Sequence, residues 1–133
     1  MRSVTVMKIG GNVIDDPAAL KRFLAQFAAL KGPKVLVHGG GKLATRLAER
    51  LELKTQMVDG RRITDRGMLD VVTMVYAGLI NKQLVAGLQA EGCNALGLSG
   101  ADGNVVTARR RAPEPVDLSL IHISEPTRLG MIS

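Results

Sequence analysis

The stretch Val35–Leu51, VLVHGGGKLATRLAERL, places an apolar run directly before three consecutive glycines and an amphipathic segment directly after them. In the second half, apolar residues recur at helical spacing and charged residues take the opposite side, which predicts a helix with one face packed on a sheet. The run Val35–Val37 is continuously apolar, a pattern typical of a central strand covered on both faces. The stretch therefore predicts a strand, a glycine loop and a helix in direct succession.

The loop Gly39–Gly41 is a candidate anion-binding site. A helix N-terminus presents backbone N–H groups without intrahelical acceptors and a partial positive charge, and residues without a Cβ allow a carboxylate or phosphate to come close. A tight turn without a ligand is the alternative, because a triple glycine alone is a weak signal.

A second glycine turn follows the first predicted strand. Val4–Ile9 is mostly apolar but carries Lys8 near its end, and Gly10-Gly11 come directly after it. Ligands of open α/β sheets bind beyond the carboxyl ends of the strands, so Lys8 would reach the same crevice as Gly39–Gly41 if the two strands are parallel neighbours. The alternative is a lysine that extends from an edge strand into solvent.

The rest of the pattern predicts an α/β fold with a mainly parallel sheet. Asp16-Pro17 is typical of a helix start and Gly32-Pro33 of a helix end, which gives a β-α-β unit with parallel strands. We expect Thr64 to cap a long helix that has a break or kink near Gly78 and ends at Gly92. The other predicted elements are a hairpin of Thr55–Val58 and Arg61–Thr64 around Asp59-Gly60, and short strands at Ala95–Leu98 and Asn104–Ala108.

Composition limits the function classes. The 133 residues are 46% hydrophobic with two Phe, one Tyr and no Trp, so we expect one domain with an aliphatic core and no base-stacking platform for nucleic acid. The net charge of +6 is scattered apart from Arg109–Arg111, which we interpret as a solvated cluster. The single Cys93 and the absence of a long apolar run predict a soluble cytoplasmic protein without a membrane partner.

The glycine loop fits two known nucleotide-binding motifs to different degrees. A Walker A loop is absent, because Leu43 stands where a Ser or Thr is needed. The dinucleotide fingerprint is closer, since Gly39, Gly41 and Ala44 fit its spacing and Asp59 lies about twenty residues further on. A dinucleotide-binding oxidoreductase fragment therefore stays open as an alternative at this point, although it gives the first glycine turn no role.

Phosphoryl transfer uses both glycine turns. Its transition state spreads negative charge over the moving group, so it needs hydrogen-bond donors and cations placed around that group. Lys8 and the amides of Gly10-Gly11 supply such groups. The Gly39–Gly41 loop would bind the acceptor, and the planar guanidinium of Arg62 suits a carboxylate.

Four short motifs follow one another along the chain: KIGGN at Lys8–Asn12, VHGGGK at Val37–Lys42, VDGRRIT at Val58–Thr64 and LSGADG at Leu98–Gly103. In order and spacing they closely resemble the acetylglutamate kinases of the amino-acid kinase family. The resemblance implies a three-layer sandwich with a mainly parallel sheet. It also implies transfer of the γ-phosphate of MgATP to the side-chain carboxylate of N-acetyl-L-glutamate in arginine biosynthesis, with no protein-ligated metal and a homo-oligomer when the protein is full-length.

The resemblance also implies residue roles, matched position by position. Lys8 would stabilise the transferring phosphoryl group, and Gly10-Gly11 would donate backbone N–H bonds to it. Gly40-Gly41 would bind the acylated amino acid, and Arg62 would bind its α-carboxylate. The reacting carboxylate has a reference pKa of about 4.3, so no general base is needed, and we interpret His38 as a packed residue that orients the loop.

The resemblance extends from the start of the chain to about Leu118, and members of the family are much longer. We therefore expect residues 1–118 to form an N-terminal, acceptor-binding lobe, and 119–133, SLIHISEPTRLGMIS, to be an unrelated extraneous tail. The chain as given would be an incomplete and inactive fragment. The alternatives are a relative acting on N-succinyl-glutamate or another carboxylate, and a non-enzymatic interaction module built on the apolar helix Met68–Leu88.

Overall fold

The structure is a computed structural model that describes residues 3–53, 56–58, 61–63 and 65–107, with the backbone alone described at Gly41, 56–58 and 61–63. The chain combines helices with short strands. In order, the elements are β1 (Thr5–Ile9), α1 (Gly11–Ile14), α2 (Pro17–Ala29), β2 (Lys34–His38), α3 (Gly41–Arg50), β3 (Gln56–Val58), β4 (Arg61–Ile63), α4 (Arg66–Val72), a π-helical segment (Thr73–Ile80), α5 (Asn81–Ala90) and a 3-10 turn (Asp102–Asn104).

The predicted β-α-β unit is confirmed. β1 and β2 are parallel neighbours, with a register that runs from Thr5 opposite Lys34 to Ile9 opposite His38. Between them, α2 begins at the N-cap Asp16, whose carboxylate accepts hydrogen bonds from the backbone amides of the second and third helical residues at 2.9 and 3.0 Å. These two backbone bonds hold the pKa of Asp16 below its ordinary value.

The C-terminal end of α2 is closed by a side chain from the next strand. The Lys34 ammonium donates to the backbone carbonyls of Ala28 and Leu30 at 2.7 and 2.8 Å, and lies 5.3 Å from the centre of the Phe27 ring. Gly32 has φ +82°, the left-handed conformation that the sequence pattern predicts at this helix end. The first crossover is therefore fixed at both ends by local chemistry.

The long helical run from Arg66 to Ala90 differs from the expectation in two ways. Its N-cap is Asp65, whose side chain accepts from the Met68 amide at 2.8 Å, so the expected cap at Thr64, a residue outside the described ranges, is wrong. The expected break or kink near Gly78 takes a different form: the helical run continues, and its hydrogen bonding changes to the π pattern over Thr73–Ile80, a segment that contains Gly78. Gly92, with φ +73°, follows the end of the helix as predicted.

The core lies between the β1–β2 sheet and the helices. In a π segment residues five apart come onto one face, and Val75 and Ile80 are each 1% exposed. The run Arg66–Ala90 is apolar enough in composition and, at 25 residues, long enough to span a membrane. However, it packs against α2 and α3 and supplies much of the buried core: Met68, Val71, Val72, Val75, Ile80, Leu84 and Leu88.

Within the described ranges, helices cover one face of the β1–β2 sheet. Met7, Ile9 and Leu36 lie on that face, against the core. On the opposite face Val6 and Val35, which are register partners, are 64% and 47% exposed. The expectation that the second strand is covered on both faces is therefore not met by the described residues, because their helices all pack on the side that carries Ile9.

β3 and β4 form the predicted hairpin, antiparallel and with Met57 opposite Arg62. Asp59 and Gly60 lie outside the described residues, so the predicted turn at these two positions stays a prediction.

The two short strands expected after the long helix are wrong in the described part of the chain. Residues 93–99 form no regular element, and a 3-10 turn stands at Asp102–Asn104; Ala108 lies outside the described ranges. A strand needs backbone partners from a neighbouring strand. Here side chains of α5 donate to the backbone carbonyls of this segment instead, over 3.1 to 3.3 Å: Gln89 to Ala95, Lys82 to Gly97 and Asn81 to Leu98.

Candidate active site

Both glycine turns leave the β1–β2 sheet at the same edge. Because Ile9 and His38 are register partners at the ends of parallel strands, Gly10-Gly11 and Gly39–Gly41 follow them side by side. The helices that begin at the two turns are joined by an ion pair, in which the Lys42 Nζ lies 3.8 Å from a carboxylate oxygen of Asp15. The parallel pairing therefore brings the two turns together at one edge.

The first turn is open in front of its backbone. Gly10 caps α1 with an extended conformation, φ −95° and ψ 175°, and its carbonyl accepts from the Val13 amide at 3.1 Å. A Cβ at Gly10 would meet no atom within 4 Å. The amides of Gly11 and Asn12 begin the helix, where no intrahelical carbonyl precedes them, so an anion can approach them.

Lys8 stands next to this turn, at the penultimate position of β1. Its side chain is exposed, and in the described part of the chain it forms no ion pair. Lys42 differs, because it faces Asp15 and its charge is partly balanced there. Lys8 therefore brings to the edge where the two turns meet a positive charge that no ion pair among the described residues balances.

Gly40 lacks a side chain for a different reason from the expected one. The residue is buried and its φ of −178° is extended, so the backbone does not demand glycine. A Cβ there would collide with Cδ1 of Ile80 and lie 3.0 and 3.1 Å from two ring carbons of Tyr76. The π segment therefore fills the Cβ side of Gly40, and a ligand must approach from its amide side. At Gly39 a Cβ would meet nothing within 4 Å.

The structure places the two remaining predicted site residues only by their backbones. Gly41 is the first residue of α3, where the helix dipole is positive. Arg62 is the central residue of β4, and its side chain lies outside the described part of the structure. Their predicted roles in acceptor binding thus stay predictions.

His38 links the second turn to the interior. Its Nδ1 lies 3.1 Å from the Gly39 carbonyl oxygen, and its Nε2 lies 3.2 Å from the Asn81 side-chain nitrogen. The packed, orienting character expected of His38 agrees with these contacts. Asn81 is not among the residues predicted from the sequence, although one signal could have identified it. It is a polar residue on the apolar helix face that also carries Leu84 and Leu88, three and seven positions further along α5.

The LSGADG motif forms a closed turn. One carboxylate oxygen of Asp102 accepts from the Ser99 amide at 2.6 Å and from the Ser99 hydroxyl at 2.8 Å. These two bonds hold the pKa of Asp102 below its ordinary value, so the carboxylate is ionised at neutral pH. Within the described residues, then, Asp102 stabilises its own loop.

A groove of about 470 Å³ lies between β2, α5 and residues 96–106. It is lined mostly by aliphatic side chains, and His38, Asn81 and Ser99 contribute polar atoms. Neither Lys8 nor Gly10 lines it, so the groove is separate from the edge where the positive charge and the open amides lie.

The described residues contain no group of three or more His, Cys, Asp or Glu side chains that could hold a metal ion. The phosphates of a nucleotide supply oxygen ligands of the kind that Mg²⁺ prefers. The cationic Lys8 and the open turn at Gly10 fit the phosphate end of such a nucleotide.

Known proteins are similar to this chain in sequence. The acetylglutamate kinase of Phocaeicola vulgatus is 48% identical over 130 residues, which cover 98% of this chain and 51% of that protein. The acetylglutamate kinase of Cytophaga hutchinsonii is 56% identical over 111 residues, 84% of this chain and 42% of that protein. The chain spans about half the length of these curated relatives.

Solved structures agree at the level of the fold. N-acetylglutamate synthase from Neisseria gonorrhoeae, complexed with coenzyme A and L-arginine, matches with a TM-score of 0.60 at 22% identity, over 97% of this chain and 32% of that one. The protein smu.665 from Streptococcus mutans matches with a TM-score of 0.53 at 25% identity, over 69% of this chain and 38% of that one. The model of the amino acid kinase family matches residues 3–127. This chain therefore belongs to the amino acid kinase family.

Proposed function

We propose that this chain carries the acceptor-binding part of an ATP-dependent kinase that phosphorylates the side-chain carboxylate of N-acetyl-L-glutamate, in arginine biosynthesis. The observation that supports it best is the parallel pairing of β1 and β2. It puts the glycine turn that follows Lys8 and the glycine turn that follows His38 at the same edge of the sheet. Relatives named acetylglutamate kinase, 45% to 56% identical, agree with this proposal. The family membership disfavours the dinucleotide alternative.

The reaction needs charge stabilisation rather than a base. A carboxylate oxygen of the acceptor attacks the γ-phosphorus of MgATP, the bond to the bridging oxygen breaks, and ADP leaves with that electron pair, which yields an acyl phosphate. In the proposal Lys8 and the amides of Gly10-Gly11 stabilise the charge on the moving phosphoryl group. Gly40-Gly41 hold the acceptor by their amides, and Arg62 binds its α-carboxylate.

The acyl group and the wider assembly belong to the same proposal. N-Succinyl-glutamate or another carboxylate is the nearest alternative acceptor, because Arg62 would hold an α-carboxylate in either case. Met74 and Leu79 in the π segment are 54% and 47% exposed, which favours a homo-oligomer through this helix when the protein is full-length. We place the enzyme in the cytoplasm, with 1–118 as the lobe and 119–133 as the extraneous tail.

The test uses a chimera, because the chain spans about half of its relatives. Residues 1–118 are joined to the C-terminal part of the Cytophaga hutchinsonii acetylglutamate kinase, and acyl phosphate is trapped with hydroxylamine as a hydroxamate. We expect product with N-acetyl-L-glutamate and ATP, and none from the 133-residue chain by itself. Faster turnover on N-succinyl-glutamate would replace the proposed acceptor.

A lysine pair supplies the matched comparison. We expect Lys8→Met to lower kcat by about 10²–10³-fold, the cost typical of losing one group that stabilises transition-state charge. Lys21→Met removes an exposed lysine of α2 and should leave kcat unchanged. A folded chimera that makes no hydroxamate, or one in which both variants behave alike, would refute the proposed role of this edge.

A further inference from the structure

Four residues form a continuous hydrogen-bonded chain that ends at the second glycine turn. The Lys82 Nζ lies 3.1 Å from the side-chain oxygen of Asn81, and the side-chain nitrogen of Asn81 lies 3.2 Å from Nε2 of His38. On the far side of the ring, Nδ1 lies 3.1 Å from the carbonyl oxygen of Gly39. The same Asn81 nitrogen also lies 3.3 Å from the Leu98 carbonyl oxygen.

The chemistry of the groups fixes the direction of every bond. A lysine ammonium can only donate and a backbone carbonyl can only accept. Asn81 must therefore turn its oxygen toward Lys82 and its nitrogen toward the Leu98 carbonyl, and the second N–H of that nitrogen points to His38. Nε2 of the neutral ring is then an acceptor, so the ring proton lies on Nδ1 and is donated to the Gly39 carbonyl.

The centre of this chain is buried and closely packed. Asn81 is 7% exposed, and within the described ranges it is the one polar residue in the buried class. Gly97 makes the arrangement possible, because a Cβ there would collide with the Asn81 oxygen and lie 2.7 Å from a methyl carbon of Val85. A buried amide that satisfies three partners at once specifies one geometry, since any rotation leaves a polar atom unpaired.

We infer that Asn81, acting through the Nδ1–H tautomer of His38, is a positioning residue for the acceptor loop. A trans peptide is planar with its C=O and N–H pointing in opposite directions, so holding the Gly39 carbonyl against the ring aims the Gly40 N–H away from it. Among the described residues, the Gly40 amide donates to no protein acceptor. Hydrogen bonding at the carbonyl also polarises the peptide, which makes that N–H a stronger donor to an anion.

The functional consequence, a Gly40 amide aimed at the carboxylate of the acceptor, rests on the proposed function. The geometry of the hydrogen-bonded chain does not depend on the proposed function, so the geometry and the function are tested separately. The sequence contains two histidines, and His122→Gln leaves His38 as the single imidazole in the chain.

The first experiment measures the ring tautomer of this His122→Gln chain without any ligand, from ring ¹⁵N chemical shifts at a pH where the imidazole is neutral. We expect the proton on Nδ1, the less common tautomer of free histidine. A proton on Nε2 would overturn the inference.

The second experiment exchanges the donor for an acceptor. Asn81→Asp places a carboxylate oxygen where the amide nitrogen stood, so we expect the ring proton to move to Nε2 and the Gly40 backbone ¹H–¹⁵N signal to shift. Asn94→Asp makes the same change at an exposed asparagine that contacts Gln89, and should move neither signal. If Asn81→Asp does not fold, Asn81→Ser keeps a donor and should retain the Nδ1–H tautomer. A Gly40 signal that ignores the tautomer change would refute the positioning role.

A titration with N-acetyl-L-glutamate then tests the function. We expect its addition to shift the Gly40 signal, with affinity about tenfold lower in Asn81→Asp, the cost typical of weakening one hydrogen bond to a charged group. If the tautomer is as expected but neither this chain nor the chimera binds the compound, the proposed acceptor is wrong and the positioning chain stands.

Discussion

Gly40→Ala tests whether the second glycine turn is fixed by packing. The added Cβ would collide with Cδ1 of Ile80, a side chain that is 1% exposed and would have to shift within the core. It would also lie 3.0 and 3.1 Å from ring carbons of Tyr76, tighter than ordinary van der Waals contact. We therefore expect Gly40→Ala to destabilise the fold although the backbone conformation accepts alanine.

The magnitude follows from two opposing effects. Overpacking a filled core costs about 1–3 kcal/mol. Replacing glycine by alanine also restricts the unfolded chain, which stabilises the fold by about 0.4–1 kcal/mol. The difference of these ranges puts the net loss of unfolding free energy between about 0 and about 2.6 kcal/mol, with about 1.3 kcal/mol at their midpoints. Gly39→Ala, where a Cβ meets nothing within 4 Å, is the matched control and should cause no loss.

A double-mutant cycle identifies the colliding atom. Ile80→Val removes Cδ1 and should cost about 0.5–1.5 kcal/mol by itself. In the Gly40→Ala background, the same change opens space for the new methyl group. The double variant should therefore lose less unfolding free energy than the sum of the losses in the two single variants. Urea unfolding of the 133-residue chain, followed by circular dichroism, gives the free energies. Additive losses, or equal stability of Gly39→Ala and Gly40→Ala, would refute the packing argument.

Three further outcomes follow from the fold. Hydrogen bonds from two backbone amides lower the pKa of Asp16 in the folded chain. The stabilisation from this cap is therefore complete above the ordinary pKa of 3.8 and is lost as the pH falls through the lower folded value. Between about pH 5 and pH 2, the urea midpoint of Asp16→Asn should therefore fall less steeply than that of the unchanged chain. Lys42→Gln breaks an ion pair whose lysine is 61% exposed, so the thermal midpoint in low salt should change by the equivalent of less than about 1 kcal/mol. Gly87→Ala puts a Cβ 2.6 Å from Cδ1 of Leu24, and we expect it to lower the unfolding free energy by about 1 kcal/mol. In the Leu24→Ala background this cost should disappear, as a double-mutant cycle would show.

Structural features that depend on neighbouring residues could be predicted from the sequence alone. The Asp16-Pro17 start of α2, the left-handed Gly32 and the glycine that follows the long helix each depend on residues within a few positions, so the sequence predicted them. The four motifs and the β-α-β order also predicted the family and the common edge of the two glycine turns. The sequence could do this because a parallel crossover leaves little freedom in where the two strands end.

Contacts between distant parts of the chain needed the tertiary structure. The sequence of residues 95–98 is typical of a strand, yet side chains of α5 donate hydrogen bonds to its backbone carbonyls. Whether a segment pairs as a strand depends on which other part of the chain lies beside it. Gly40 is a glycine because Ile80, forty positions away, occupies its Cβ side. The tautomer of His38 is likewise set by Asn81, across 43 positions. Sequence patterns thus determined the β-α-β unit, the hairpin and the long helix, whereas packing decided the other local structure and which atoms meet at the site.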